Sequence, residues 1–471
     1  MAKSLLMHAM SIIMDIHGLA SKCISNVLDH SNDDFFLISH MDADGISSCA
    51  IMSTALDRAG IEHTYKCVKI NELAELEPCE NMIFCDLGSG QQETLERCFP
   101  DSNITIIDHH QFESSRFECH FNPFLAGIDG GKEISGSGMS YLFAKAMDSS
   151  NGDLAPIAIV GAVGDMQNIW GSLEGMNTTI VADGIENGTI TASPDLRLYG
   201  RFTRPIYKSL QYFSDPPVPG VSGNESNCIA LLSSLGIPIK EDDWRTPSDL
   251  TLEEKQTLGT ELIRRIMSEL PSEFIQLAPK LVFGESYTFE REDRYSPLRD
   301  ASEFSTCLNA AGRNGAPDIG VEVAKGNRGL YLDKLMSLLK THRRKLARGV
   351  GLVESRGIER LDNLQYFDGT GISDTLVGTV TGLLLGSEGT DPFMPLIGYT
   401  PVDDRNIKIS LRCSKLLIGR NVNMGKILRE TSKSYGGEGG GHAFACGAYV
   451  PHENIIPFLD DVSRTIGEAV C

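Results

Sequence analysis

The chain has 471 residues, 41% of them apolar and 22% charged, and a net charge of −21. Its length exceeds what one ordinary hydrophobic core organises, so two or three domains are expected, and no apolar run approaches the ~20 residues of a membrane-spanning helix. So negative a balance speaks against a protein that coats nucleic acid over its whole surface. It leaves room for a local basic groove and for an acidic face that meets a protein partner. Twelve cysteines are scattered without a C-x-x-C pair, which argues against a zinc ribbon or dithiol redox motif and fits thiols kept reduced in the cytoplasm.

In chain order, Leu6, Met10, Ile13, Ile16, Ala20, Cys23 and Val27 step by threes and fours and predict an amphipathic core helix. His8, Asp15 and His17 interrupt what would otherwise resemble a signal peptide. Four apolar runs then end abruptly in ionisable residues. Phe35–Ser39 leads through His40 to Asp42 and Asp44, Met82–Cys85 to Asp86, Ile104–Ile107 to Asp108, His109 and His110, and Ile157–Gly164 to Asp165. Each run reads as a buried strand, with helical patterns over 46–58 (its first turn following Gly45), 91–98 and 137–148. This alternation predicts an α/β fold with a doubly wound, mostly parallel sheet. The carboxyl ends of such strands share one rim, where ligands bind. Five carboxylates and two adjacent histidines on that rim predict a polynuclear metal site. Asp and His suit Mn²⁺ or Mg²⁺, and two such ions roughly 3.5–4 Å apart activate water and neutralise charge on a phosphoryl group.

Between Asp108 and Asp165, a Gly/Ser-rich stretch around Ser135-Gly136-Ser137-Gly138 opens a helix. It reads either as an anion cradle of free N–H groups or as a plain N-cap at Ser135 or Ser137. Arg201, Arg204 and Lys208 form a small basic cluster, and 214–223, rich in Pro and Gly, reads as an exposed linker into an inserted helical subdomain that includes a helix over 251–270. A strand is expected over 281–290. Asn309 and Arg313 stand four apart, on one helix face. Leu332, Leu335, Leu339, His342 and Leu346 mark a long helix; Arg343, Arg344, Lys345 and Arg348 give it a basic side, or a C-terminus favoured by the macrodipole. The last ~115 residues begin a second α/β unit, with a capped helix from Asp374, strands at 394–399 and 407–412, and a glycine loop from Gly436 through Gly439, Gly440 and Gly441 to His442.

No G-x-x-x-x-G-K-[ST] loop or G-x-S-x-G elbow is present. Singly, each strand-end Asp or His is an ordinary turn or cap residue; four together are not. His40-Met41-Asp42-Ala43-Asp44-Gly45, Asp86, Asp108-His109-His110 and Asp165 resemble, in order, the four motifs of the DHH phosphoesterase superfamily. Leu308-Asn309-Ala310-Ala311-Gly312-Arg313 looks like the further motif of RecJ-type single-strand exonucleases, and Gly439-Gly440-Gly441-His442 is similar to the signature of the associated DHHA1 domain. Length and insertion resemble archaeal RecJ-like proteins, some of which bind the replication factor GINS.

The resemblance implies a DHH catalytic domain over 1–322 with an insertion at about 214–290, a connecting helix over 323–352, and a DHHA1 substrate-binding domain over 353–471. It implies that Asp42, Asp44, Asp86, His109 and Asp165 hold two Mn²⁺ (or Mg²⁺) ions, with Asp86 bridging. Asp108 would orient His109, and His110 would face the scissile phosphate. Asn309, Arg313, Arg412, Gly439, Gly440, Gly441 and His442 would grip the strand. Where some members carry a ligand histidine this chain has Ile38, so His40 is left out of the ligand set. The implied activity is a metal-dependent exonuclease that releases mononucleotides from single-stranded DNA or RNA in replication or repair, with GINS or another replication protein as a partner. The alternatives are a phosphodiesterase for short oligonucleotides, cyclic dinucleotides or pyrophosphate, and a replication scaffold with the nuclease activity secondary.

Overall fold

The computed structural model describes residues 2–214, 216–387, 389–418 and 422–470, with side chains from Ile16 onward apart from Ile418 and Val470. The chain divides into two compact units, Met1–Asp195 with Gly284–Lys340 and Leu196–Phe283 with Thr341–Cys471.

The first unit is built on five strands: β1 (Phe35–His40), β2 (His63–Val68), β3 (Asn81–Cys85), β4 (Asn103–Ile107) and β5 (Cys119–Phe121). They pair in the order β2-β1-β3-β4-β5, every pair parallel. The order reverses between β1 and β3, the switch point where open α/β sheets bind ligands. Alternate residues point to opposite faces. Leu37, Ile83, Cys85 and Ile107 join a core with α1 (Ala2–Asp29), α2 (Ala43–Ala59), α4 (Gly136–Met147) and α5 (Ala155–Gly164). Ile38, Met82, Phe84 and Ile106 join another with α3 (Gln92–Cys98). Both faces of the central strands are covered, which is why β1, β3 and β4 are mostly apolar, whereas the edge strand β2 alternates half-buried and exposed residues over most of its length. In α1 the stripe Ile16, Ala20, Cys23 and Val27 is buried; Leu6, Met10 and Ile13 lie outside the described side chains.

Two local expectations give way here. The run Ile157–Gly164 is not a strand but most of α5, a helix buried along most of its length. A continuous apolar run carries no period by which helix and strand can be told apart. Pro156 sits in its first turn, and small residues let it pack closely on α2 and α4. Similarly, α2 begins at Ala43, two residues before Gly45, because the Asp42 side chain caps it by accepting from Gly45 N at 3.0 Å.

In the inserted segment, 214–223 is not an exposed linker. Val218 and Val221 are fully buried in a core with Leu210, Leu231 and Leu262, so its prolines and glycines shape a packed turn. The helix Leu252–Met267 starts at a Thr251–Glu254 capping box. The long helix runs Leu330–Arg356 and is separated from Pro317–Ala324 at Gly326 and Gly329, both at positive φ. Arg343, Arg344, Lys345 and Arg348 lie on it, and Arg343, Arg344 and Arg348 are among its more solvent-facing residues.

Strands β6 (Ile190–Leu196) and β7 (Phe283–Phe289) pair with each other. The C-terminal sheet contains β8 (Glu359–Arg360), β9 (Gln365–Asp368), β10 (Leu396–Pro401), β11 (Asn406–Arg412), β12 (Glu438–Gly441) and β13 (Ala445–Pro451), in the order β12-β13-β11-β10-β9-β8. Most of the predicted glycine loop is therefore an edge strand, β12. A Cβ on Gly439 would lie 2.7 Å from Ser432 Oγ and 3.1 Å from the Leu428 carbonyl oxygen. Glycine lets the helix Met424–Ser434 cross the strand at backbone distance.

Candidate metal centre

Asp42, Asp44, Asp86, Asp108, His109 and His110 all follow the carboxyl ends of β1, β3 and β4. Asp165 arrives instead from the C-terminal end of α5, where the helix dipole disfavours a carboxylate. Their ligand atoms fall into three groups, each within 4.8 Å: Asp44 with His109 and Asp165; His40 with Asp42 and Asp86; and Asp86 with Asp108, His109 and His110. The five predicted ligands are thus brought together with His40, which the sequence reading set aside. His40 Nδ1 lies 3.0 Å from Asp42 Oδ2 and 3.9 Å from Asp86 Oδ2. Its signal was a strand-end histidine two residues before the first Asp; Ile38 is instead buried core.

Asp44 is almost fully buried, and its oxygens accept from Gly136 N at 2.7 Å and Ser137 N at 3.0 Å. The Gly/Ser turn is thus both cap and cradle: Ser135 caps α4, and the free N–H groups hold the protein's own carboxylate. The fit is close. A Cβ on Gly136 would lie 2.4 Å from Asp86 Oδ1, and one on Gly161 2.0 Å from Ser137 Oγ and 2.3 Å from Asp44 Oδ1.

Burial opposes the charged form of His109, but Asp86, Asp165 and Asp44 outweigh it and raise the ring well above its usual pKa when no cation is bound. The ring donates through Nδ1 to the Gly130 carbonyl at 2.7 Å, so its neutral form would carry the lone pair on Nε2, which lies 3.3 Å from Asp86 Oδ1 and 3.7 Å from Asp44 Oδ2. That is the tautomer a metal ligand requires. Asp108 does not orient the His109 ring. It accepts from the backbone of His109 and Ser89, and its Oδ1 takes the Nδ1–H of His110 at 2.8 Å. Side chains two apart share a direction here, and the ring Asp108 holds is that of His110.

Gln167 was missed by sequence reasoning. Its Nε2 lies 2.9 Å from Gly130 O, 3.1 Å from Ile134 O and 3.0 Å from Asp165 Oδ2, while Asn177 donates to its Oε1 at 2.6 Å. One side chain thus braces Asp165 and the carbonyl that orients His109. No sequence pattern announces it.

Asp86 shows the strongest sign of a cation. Its backbone is left-handed at φ 57°, a cost that persists where function requires it, and its buried Oδ1 has no hydrogen-bond donor. Burial, then the Asp44 carboxylate, push its carboxyl well above the usual range. Burial also raises Asp44, with Asp165 adding to the effect against His109. Burial opposes the charged form of His40, but Asp42 and Asp86 outweigh it and raise the ring to about 9. A site that pulls protons onto its carboxylates and imidazoles has more negative charge than it can hold alone. Hard oxygens with one imidazole fit Mn²⁺ or Mg²⁺.

The predicted phosphate-binding residues divide between the units. Asn309, on the helix Ala301–Arg313, accepts from Ala43 N at 3.1 Å through Oδ1, so it also positions the Asp42–Asp44 loop. In the second unit, the register pairs Arg412 with Ala445 and Gly441 with Cys446, and His442 N donates to Ala445 O. Arg412, Gly441 and His442 therefore share one end of the sheet. The Arg412 guanidinium donates to the Leu411 carbonyl at 2.8 Å, and burial lowers its pKa.

Three domain families match the chain: the DHH family N-terminal domain over 34–162, the DHH-CID domain over 198–276 and the DHHA1 domain over 363–468. The chain thus carries a DHH-family N-terminal domain, a DHH-CID domain and a DHHA1 domain, in that order. An uncharacterized protein of Methanocaldococcus jannaschii is 28% identical over 452 residues, 92% of this chain and 93% of the relative. RecJ from Thermus thermophilus, solved in complex with Mn²⁺, shares the fold with a TM-score of 0.57 at 15% identity, over 96% of this chain and 55% of that one. The present chain therefore spans about half of that protein. CDC45 from Entamoeba histolytica gives a TM-score of 0.59 at 13% identity, over 98% and 99% of the two chains. None of the helices among the described residues is long and apolar enough to cross a membrane.

Proposed function

We propose that the protein is a Mn²⁺-dependent exonuclease that hydrolyses terminal phosphodiesters of single-stranded DNA or RNA and releases mononucleotides. The observation that carries this reading is the buried, donorless Asp86 oxygen among Asp44, His109 and His40 at the switch point of the sheet. Two divalent ions bound there would supply an activated water and charge neutralisation at the phosphoryl group. The chain's own residues do the rest. Asp42, Asp44, Asp86, His109 and Asp165 would hold the ions. Asp108 fixes the His110 ring through Nδ1 and leaves Nε2, on a half-exposed side chain, for the scissile phosphate. Asn309 keeps the first ligand loop in register. Within the first unit Arg313, and within the second Arg412 and His442, offer cationic and polar groups suited to phosphates. The side-chain-free backbone of Gly439, Gly440 and Gly441 leaves a strand room to approach the second unit closely.

The test is digestion of end-labelled strands of ~20 nucleotides and of dinucleotides, with Mn²⁺ and Mg²⁺ compared. Mononucleotide release by the wild type, lost in Asp86→Ala, is the expected result; undiminished cleavage by Asp86→Ala refutes the mechanism. Faster turnover of dinucleotides than of long strands would replace it with the small-substrate reading. The net charge of −21 leaves an acidic surface for a replication protein such as GINS as a partner.

A further inference from the structure

Among the described residues, two non-glycine positions have positive φ, Asp86 and Met166 (φ 59°). The second has a plain local origin. Helix α5 ends at Gly164, Met166 N donates to Val163 O and Gln167 N to Ala162 O at 3.0 Å. That last bond spans five residues, the pattern of a helix that closes through one left-handed residue, a place glycine usually takes. Here the chain carries methionine and accepts the Cβ penalty. The side chain is not used to fill the core, because Met166 is 42% exposed. It is held rigidly between two site residues: Asp165, whose carboxylate joins Asp44 and His109, and Gln167, tied to Gly130, Ile134 and Asp165. A large, polarisable apolar group is therefore left half exposed next in sequence to the cluster residue Asp165, in a backbone state that would be less strained without it.

We propose that Met166 is a specificity-determining residue that receives the base or sugar of the nucleotide whose phosphate the metal centre binds. Rested on the nuclease reading above, this names the substrate class more closely: a nucleoside-bearing phosphodiester rather than pyrophosphate or a bare polyphosphate. A thioether packs well against aromatic faces of any sequence, so the contact tells a base from no base without choosing among bases.

The experiment compares wild type, Met166→Gly, Met166→Ala and Met166→Leu on a dinucleotide and on the same dinucleotide with an abasic terminal residue. Expected is a wild-type preference for the intact substrate of about tenfold, equivalent to about 1.4 kcal/mol. Met166→Gly and Met166→Ala should abolish that preference through KM, and Met166→Leu should restore it. The glycine variant should also melt higher than wild type, which separates loss of contact from loss of fold. If wild type and Met166→Gly show the same preference and KM, Met166 is a helix terminus and nothing more. If wild type cleaves neither dinucleotide nor longer strand, the nuclease reading itself falls, and this inference with it.

Discussion

Replacing Asp86 by Asn should stabilise the metal-free protein while destroying its function. In the absence of a cation, a carboxylate with one donorless, buried oxygen faces the Asp44 carboxylate. Asn is nearly isosteric, tolerates the left-handed backbone better than most residues, and puts no second charge beside the Asp44 carboxylate. Relieving one buried unsatisfied charged group is worth about 1–3 kcal/mol, or roughly 2–12 °C in melting temperature for a unit of ~150–250 residues. An acid whose folded pKa lies above its unfolded value binds more protons folded than unfolded, so its penalty grows as pH rises above ~4 and is relieved as pH falls through the folded value. The advantage of the Asn variant should accordingly be largest at high pH and shrink on acidification. Added Mn²⁺ should reverse the order: at 100 times the dissociation constant the wild type gains about 2.7 kcal/mol, and the variant loses most of that gain. Thermal melts in chelator and in Mn²⁺ at several pH values read all of this. A variant that melts below wild type in chelator, or gains as much from Mn²⁺, would refute the argument that the site is built around a missing cation.

Two further outcomes follow from the same geometry. Gln167→Leu strips a donor from Gly130, Ile134 and Asp165 at once and should cost about 2–4 kcal/mol in urea unfolding, with Mn²⁺ affinity by calorimetry falling about 10–100-fold. Gly161→Ala sits mid-helix, where propensity alone favours Ala by about 1 kcal/mol; the clashes with Ser137 and Asp44 should overturn that gain by about 1–3 kcal/mol and weaken metal binding in the same titration.

The parallel sheet was legible because strands covered on both faces leave unbroken apolar runs, and β1, β3 and β4 each carry one. The same property misled at 157–164, where a buried helix of Ala, Ile, Val and Gly writes the same signature as a buried strand. The packed turn at 214–223 went unread for the converse reason: Pro and Gly mark chain direction, and only the burial of Val218 and Val221 in a helical core decides between linker and anchor. The edge strand β12 has one side chain, that of Glu438, ahead of three glycines, too little to show a period.

At the site, ligand identity was legible and ligand support was not. Asp42, Asp44, Asp86 and His109 are marked by where apolar runs stop, a local property. What orients them is remote in sequence: Asp44 is held from 92 and 93 residues away, His109 from 21, and the Asp42–Asp44 loop by Asn309 from 266. The electrostatic consequence is also remote. Asp44 rests on the N-terminus of α4, where free N–H groups favour its charge, whereas Asp165 leaves the C-terminus of α5, where the dipole opposes it. A single cation between Asp44, His109 and Asp165 would be held by one carboxylate that its helix stabilises and one that its helix does not. The second of these accepts from Gln167 Nε2 at 3.0 Å, a donor that offsets part of what the helix dipole withholds.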